Sequence, residues 1–185
     1  MADKFEQLGD KHIEFIGRQN MFFVGTAGAE GHVNVSPKGM DSLRVLNPFR
    51  VAWLNLTGSG NETAAHVLEN QRMTIMFCSF DKQPLILRLY GRARASHPRH
   101  EDWQELSALF PGHPGARQIF TLELDMVMTS CGYAVPRYTL ESERPTLNKW
   151  AESRGPEGIE QYWHDNNVQS LDGRETGIFQ DPDHV

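Results

Sequence analysis

The sequence predicts a mainly β protein, an antiparallel barrel with helices at its periphery. Two observations support this prediction. About six short apolar or alternating segments recur along the first three quarters of the chain, and only one short helical segment separates the third from the fourth. A parallel sheet needs a long crossover, usually a helix, between successive strands, whereas antiparallel strands need only turns. The pattern therefore favours an antiparallel barrel over a parallel sheet.

Composition limits the class of protein. The chain has 185 residues, of which 39% are hydrophobic and 23% charged, which indicates one globular domain with a real core. No stretch approaches the roughly 20 apolar residues that span a bilayer. The formal net charge of -6 argues against a nucleic-acid binder. Because the first residues lack the apolar segment of a secretion signal, we expect a cytoplasmic protein.

The N-terminal part predicts a helix followed by a β-hairpin. Apolar residues recur near helical spacing over residues 4–18. Two apolar or alternating runs, residues 21–27 and 32–36, flank a glycine-containing turn at residues 28–31. Pro37 follows, and because proline donates no ladder hydrogen bond, the second strand ends there or lies at a sheet edge.

Four further strands and four helices complete the predicted order. The strands are predicted over residues 49–56, 72–79, 85–95 and 118–128. The helices are predicted over residues 63–70, 98–110, 144–152 and 157–166, and a tail begins at residue 172. Within the long strand 85–95, the period of two places Arg88, Arg92 and Arg94 on one face. A small anionic ligand fits this cluster better than a polyanion does.

The link between the third strand and the next helix has the composition of a phosphate-binding turn. Residues 55–66 read Asn-Leu-Thr-Gly-Ser-Gly-Asn-Glu-Thr-Ala-Ala-His. Glycines let the backbone approach an anion, and the first helical N–H groups are unpaired. The functional interpretation places an anion near four side chains of this link: Thr57, Ser59, Asn61 and Thr63. The alternative is a helix cap without a ligand, in which Ser59 is the N-cap and Glu62 reaches back to it.

Three other segments could contact the same ligand. In Ser36-Pro37-Lys38-Gly39, the lysine offers a point charge for a phosphate or for a cofactor ring, although a surface lysine in a turn is the simpler interpretation. Arg88, in mid-strand, needs either a ligand phosphate or an acidic neighbour. Residues 129–136 include Cys131 and Tyr133, and their small side chains would let a planar ring lie against the backbone, unless they only end a strand.

Several other chemistries lack their motifs. The eight histidines are scattered without zinc-like spacing, and there is no Cys-x-x-Cys, no Gly-x-Ser-x-Gly and no dinucleotide fingerprint. We expect the two cysteines, Cys78 and Cys131, to be buried free thiols because both lie in apolar surroundings. Trp53 is expected in the core or an interface rather than stacked on a ligand.

Three segments in this order resemble the pyridoxamine 5'-phosphate oxidase-like family of FMN-binding split barrels. They are Val-Asn-Val-Ser-Pro-Lys-Gly at residues 33–39, Gly-Ser-Gly-Asn-Glu-Thr-Ala-Ala-His at 58–66 and Leu-Arg-Leu-Tyr-Gly-Arg-Ala at 87–93. The resemblance covers roughly residues 10–135. Residues 130–136 and 170–173 resemble a subgroup of small members.

The resemblance implies a six-stranded antiparallel Greek-key split β-barrel. Residues 1–135 would form the FMN-binding barrel with its N-terminal helix, and residues 136–185 a helical extension and tail of the same domain. It also implies a homodimer in which both chains touch each FMN at the interface. Lys38 matches the family's lysine that approaches the flavin ring, and residues 59–63 match the phosphate-holding turn. The expected cofactor-binding set is Ser36, Lys38, Thr57, Ser59, Asn61, Thr63, Arg88, Cys131 and Tyr133.

Two departures from the family pattern shape the expected activity. The family's oxidases often carry an Arg-Lys pair where this chain has Glu62-Thr63, so Arg88 is the expected partner of the phosphate charge. The chain also lacks the Arg-Leu-x-Pro segment that holds pyridoxamine phosphate, so another substrate is expected.

The implied activity is FMN-dependent oxidation or reduction of a small molecule, with NAD(P)H among the possible reductants. Three alternatives stay open. The barrel could bind haem or the deazaflavin F420 in place of FMN. It could be a flavin-binding or sensing dimer without turnover, or it could be a structural barrel that holds no ligand.

Overall fold

A computed structural model of the chain describes residues 2–180, and an eight-stranded antiparallel sheet dominates it. The strands are β1 (Asp3–Phe5), β2 (Phe22–Thr26), β3 (Asn34–Lys38), β4 (Leu43–Asn47), β5 (Arg50–Leu56), β6 (Arg72–Cys78), β7 (Ile86–Ser96) and β8 (Ala116–Ser130). The helices are α1 (Asp10–Gly17), α2 (Glu62–Asn70), α3 (Trp103–Ser107) and α4 (Thr146–Asn166). The predicted fold class is confirmed, with eight described strands instead of six.

The strands follow a Greek-key order. Their order across the sheet is β3-β2-β6-β7-β8-β5-β4, and β1 pairs with the last part of β8. Strands β6, β7 and β8 form an antiparallel meander. Strand β5 lies beside β8, and α2 carries the chain from β5 to the far side of that meander. In a Greek key, three consecutive antiparallel strands are joined by hairpins, and a fourth strand reaches the far side of the three through a long connection. Here β6, β7 and β8 are the three strands, and β5 is the fourth.

The sheet curls around one core, and Trp53 lies at its centre. Three strands separate β2 from β5 in the sheet order, yet Phe22 of β2 packs edge-on against Trp53 of β5, with ring centroids 6.2 Å apart. Trp53 is fully buried and stacks on Phe120 of β8 at 4.8 Å. The prediction for Trp53 is confirmed. The two ends of the sheet thus approach each other, and a seam remains between β3 and β5.

Two strands were missed by the sequence analysis. The predicted helix over residues 4–18 is wrong at its start, because Lys4 pairs with Met128 as part of β1 and α1 begins only after Gly9. Strand β8 extends past β5, and β1 fills the free edge that this leaves. Strand β4 lacks a regular alternation because its register with β5 shifts between Val45 and Asn47.

Other observed element boundaries also differ from the predicted ones. Within the predicted helix 98–110, only α3 is helical. Pro37 lies inside β3, which is an edge strand, as one of its two predicted placements required. The predicted tail is wrong for residues 172–180, because Thr176 and Ile178 are buried and Arg99 donates to the backbone carbonyls of residues 177 and 178. Residues 181–185 lie outside the described part of the chain.

A β-bulge at Gly91 sets the course of β7. The register between β7 and β8 shifts between Tyr90 and Gly91, and the backbone of β8 comes so close that a Cβ at Gly91 would lie 1.8 Å from the Glu123 carbonyl oxygen. That space is filled by backbone, which cannot rotate away as a side chain could. Gly91 is therefore required by close approach of the two strands.

We expect Gly91→Ala to lower the free energy of unfolding by about 3 kcal/mol, because the added methyl forces β7 and β8 apart. Urea unfolding followed by circular dichroism measures this. Gly112→Ala is the matched control, since nothing lies within 4 Å of a Cβ there, and it should leave stability unchanged or slightly raised. Equal stability of the two variants would contradict the tight approach at Gly91.

Candidate functional site

The seam between β3 and β5 carries a row of polar side chains. Successive residues of a strand alternate in direction, so Asn34, Ser36 and Lys38 of β3 lie on one side. The Ser36 hydroxyl donates to Asn34 Oδ1, and Asn34 Nδ2 donates to Thr63 Oγ1 at the start of α2, both at 3.1 Å. Lys38 Nζ donates to Asn55 Oδ1 of β5, also at 3.1 Å. The structure thus brings together three of the predicted site residues: Ser36, Lys38 and Thr63.

Lys38 is a half-buried cation that lacks an acidic partner. Its amine lies over the Trp53 ring, 5.1 Å from the centroid. Burial and, second, the positive charge of Arg117 lower its pKa from 10.5 to about 8. Among the ion pairs of residues 2–180, none involves Lys38. A desolvated ammonium without a counterion attracts an anionic group.

Arg117, at the start of β8, is a second cation at the seam and is buried; it was missed by the sequence analysis. It is 2% exposed, and burial lowers its pKa to about 10. Its guanidinium donates to the carbonyls of Gly58 and Gly60 at 3.3 and 3.0 Å and to Asn167 Oδ1 at 2.7 Å. These acceptors are neutral, so the charge is hydrogen-bonded but not neutralised. The feature of the sequence that could have identified Arg117 is a charged residue directly before an apolar strand.

The hydrogen bonds of Arg117 orient the glycine-rich turn. All described peptide bonds are trans, and in a trans peptide the N–H and the C=O point in opposite directions. Because the carbonyls of Gly58 and Gly60 point at Arg117, the N–H groups of Ser59 and Asn61 point away from it. Ser59 is exposed, so the turn is open at this residue, whereas Asn61 is buried. An outward-pointing N–H at Ser59 above a buried cation suits an anion.

Thr57 and Asn61 have structural roles in this arrangement. Both side chains are buried. The Thr57 hydroxyl donates to the Gly115 carbonyl and accepts the indole N–H of Trp163, each at 2.8 Å. Asn61 Nδ2 donates to the Asn167 carbonyl at 3.0 Å. These polar atoms already have protein partners, so they hold the turn in shape.

The alternative of a Ser59–Glu62 capping box is wrong. Helix α2 begins at Glu62 with Asn61 at its N-cap position, and no side chain caps it. The Glu62 carboxylate instead accepts the backbone N–H of Leu171 at 2.9 Å, which ties the C-terminal segment to α2. It stays close to Gly60, with Oε1 3.3 Å from the place of a Cβ there. Because its negative charge repels an anion near Gly60, the Ser59 side of the turn is the more favourable place for an anion.

The remaining predicted residues lie away from Lys38 within one chain. Arg88 alternates with the buried Leu87 and Leu89, so it points to the outer face of the sheet, where it donates to Ser130 Oγ at 3.1 Å. Cys131 and Tyr133 follow β8, which is four strands from β3 in the sheet order.

The two cysteines differ in exposure. Cys78 is buried, and burial raises the pKa of its thiol. Cys131 is exposed, so the prediction of a buried thiol is wrong for this residue. The reason is its position: β8 ends at Ser130, and the chain leaves the sheet in a turn there, which takes Cys131 out of the packed layer.

Lys38 and Gly58 open onto a pocket of about 660 Å³, a volume typical of small-molecule sites. Its opposite wall comes from the segment after the barrel, residues 140–162, and includes Leu147, Trp150 and Tyr162. Among the described residues that line it, none is a histidine or a cysteine.

Residues 2–180 hold no group of three or more histidine, cysteine or acidic side chains placed to bind a metal ion. Within that range, no helix has the length and apolar character needed to cross a bilayer.

Sequence comparison identifies the family. A family model described as pyridoxamine 5'-phosphate oxidase matches residues 8–131, about two thirds of the chain. A curated relative, the pyridoxamine 5'-phosphate oxidase family protein ustO of Aspergillus flavus, is 37% identical over 190 residues, which cover 91% of this chain and 75% of the relative. The chain belongs to the pyridoxamine 5'-phosphate oxidase family, and the resemblance seen in its motifs is confirmed.

Solved structures share the barrel. A candidate pyridoxamine 5'-phosphate oxidase of Lactobacillus delbrueckii matches with a TM-score of 0.54 and 19% identity, covering 66% of this chain and 94% of that one. A HupZ variant of Group A Streptococcus matches with a TM-score of 0.54 and 17% identity, covering 66% of this chain and 98% of that one. At such identity the likeness shows the fold alone.

The lowered pKa of Lys38 predicts a pH-dependent stability. The amine loses its proton near pH 8 in the folded chain and near 10.5 in the unfolded chain. Between these values the unfolded chain binds more protons, so stability rises with pH, by at most about 3 kcal/mol. We expect Lys38→Met to be more stable than wild type at about pH 7.5 and the difference to shrink by about pH 10, as measured by urea unfolding. A difference that is the same at both pH values would contradict an uncompensated amine.

Proposed function

We propose that the protein is an FMN-binding oxidoreductase that passes hydride or electrons between FMN and a small molecule. The observation that supports this most strongly is the pair of cations at the seam, of which Lys38 is half-buried and Arg117 is buried. Lys38 and Arg117 lie close enough for the charge of Arg117 to lower the pKa of Lys38, and neither has an acidic partner among the described residues. Desolvated positive charges without a counterion are unfavourable, so this site favours binding of an anion.

The residues fit the two charged parts of FMN. The phosphate would lie on the Ser59 side of the glycine-rich turn, where the outward N–H of Ser59 and the charge of Arg117 favour it. The flavin ring would present to Lys38 the edge at which negative charge develops on reduction. When bound, FMN supplies the hydride or electron chemistry. The chain's part is to hold the ring in the pocket, to exclude water from it and to stabilise its charge with the Lys38 ammonium.

Haem and pyridoxamine phosphate fit this site less well than FMN. Haem is commonly held by a histidine or cysteine, and the described lining of the pocket offers neither. Pyridoxamine phosphate is not proposed as the substrate, because the chain lacks the Arg-Leu-x-Pro segment. F420 and a sensing role without turnover place the same demands on Lys38, so they are separated by experiment.

We further propose a homodimer with FMN at the interface. Arg88 points to the outer face of the sheet and has only a neutral hydroxyl partner, Ser130, among its described hydrogen bonds. If two copies pack through these faces, Arg88 contributes to the cofactor site of the partner copy. Cys131 and Tyr133 belong to the same proposal, since Tyr133 is 81% exposed and free to contact a second chain. The reductant in turnover would be NAD(P)H or another small molecule.

The first test is retention of FMN. Purified protein is mixed with FMN, the excess is removed by gel filtration, and the absorbance spectrum is recorded. We expect flavin absorbance at about one FMN per chain, because the two cations at the seam gain a counterion. Parallel samples with haem and with F420 are the controls. Retention of haem or F420 but not FMN, or of none of the three, would contradict the proposal. NAD(P)H consumption by the FMN-loaded protein distinguishes an enzyme from a sensor.

Arg117 predicts a difference between FMN and riboflavin, which lacks the phosphate. We expect Arg117→Met to weaken FMN binding about tenfold or more and riboflavin binding far less, because the lost charge lies beneath the turn that would hold the phosphate. Flavin fluorescence titration gives both affinities. Arg88→Met is the comparison variant: a change in the FMN-to-riboflavin ratio there instead would assign the phosphate to Arg88. If Arg117→Met lowered the affinities for FMN and riboflavin equally, the role of Arg117 would be purely structural.

A further inference from the structure

The pocket beside Lys38 has one wall that the barrel does not supply. Residues 140–162 lie outside the family match over residues 8–131, yet they form the side of the pocket opposite Lys38 and Gly58. The flavin-binding groups proposed at the seam, by contrast, precede residue 131. The wall is therefore separate from the groups that hold the cofactor.

A sharp bend shapes this wall. In a straight helix, Trp150 and Tyr162 would be about 18 Å apart along the axis. Their ring centroids are instead 5.1 Å apart, edge to face. The bend lies at Gly155, whose φ of 66° and ψ of 174° are accessible essentially to glycine alone. The two helices predicted over residues 144–152 and 157–166 are thus present as the two halves of α4.

The two rings are fixed before any ligand binds. The Arg154 guanidinium lies 5.2 Å from the Trp150 ring centroid and 5.5 Å from that of Tyr162. A cation shared between two aromatic faces restrains both rings. The wall is therefore pre-organised, which reduces the entropy lost when a flat ligand packs on it.

The wall is also fixed to the cofactor side of the pocket. Trp163 donates its indole N–H to Thr57 Oγ1, directly before the glycine-rich turn. Ala151 is buried, and its Cβ lies 3.2 Å from the place of a Cβ at Gly115. Both contacts hold α4 at a set distance from Lys38, so the width of the pocket is defined by the fold.

We infer that this wall, formed by residues 140–162, is the substrate subsite and that it binds a planar, uncharged aromatic compound. This inference rests on the proposed function, which places the flavin ring on the opposite side of the same pocket. The interior lining next to the wall is mostly apolar, with Met21, Met40 and Leu147. The charged residues of this segment that line the pocket, Glu143 and Arg144, are exposed and of opposite sign, so they favour neither an anion nor a cation.

The test uses the FMN-loaded protein and two probes of equal ring number. 2-Naphthol is planar and uncharged near neutral pH, and decahydro-2-naphthol has the same hydroxyl on a non-planar body. Isothermal titration calorimetry should show 2-naphthol binding, with the decahydro compound about tenfold weaker. Trp150→Ala should weaken 2-naphthol about tenfold and leave FMN affinity within about twofold, and Trp150→Phe should restore most of the loss.

Control variants keep the result interpretable. Leu171→Ala, at a position that is 76% exposed and outside the pocket, should change neither affinity. Leu147→Ala replaces Trp150→Ala if that variant fails to fold. Absent 2-naphthol binding, equal binding of the two probes, or a parallel loss of FMN and 2-naphthol affinity in Trp150→Ala would each overturn the inference. If the protein holds no FMN, the proposed function fails, and the same titration on the FMN-free chain still decides whether the wall binds aromatic compounds.

Discussion

The site is organised around one buried guanidinium. Arg117 is nearly inaccessible to water, and its charge is met only by carbonyl and amide oxygens. Removing it would leave the Gly60 carbonyl without its side-chain donor and the Gly58 carbonyl with only Asn167, which is costly. The same hydrogen bonds direct the peptide groups of the turn, and the guanidinium charge raises the positive potential at Lys38. Loop geometry and electrostatics therefore share a single physical cause.

The segment after the barrel is built onto this centre. Asn167 accepts from Arg117 through its side chain and from Asn61 through its backbone carbonyl, and Trp163 bonds to Thr57. The residues beyond continue across α2, where Glu62 holds the Leu171 N–H. Residues 163–171 are thus joined to the glycine-rich turn and to α2 by several hydrogen bonds, which bring residues 172–180 against the fold.

Local sequence patterns predicted the strands and turns that depend on neighbouring residues. They did not predict the features that depend on contacts between residues far apart in the sequence. The alternation in β7 and the position of Lys38 after a hairpin are visible in the sequence, because period-two burial and turn composition are local. Arg117 gave no comparable signal, since its importance comes from Gly58 and Asn167, each at least 50 residues away. Strand β1 exists because β8 leaves a free edge, which no feature of its own three residues could indicate.

The depressed pKa of Lys38 has a chemical consequence for the chain before it is loaded. With a pKa of about 8, roughly a quarter of these amines are unprotonated near pH 7.5, far more than for a lysine in water. An unprotonated amine on the wall of an open pocket is a nucleophile. We therefore expect Lys38 to react with aldehydes and other small electrophiles faster than an exposed lysine does, and an anion that restores its charge to slow that reaction.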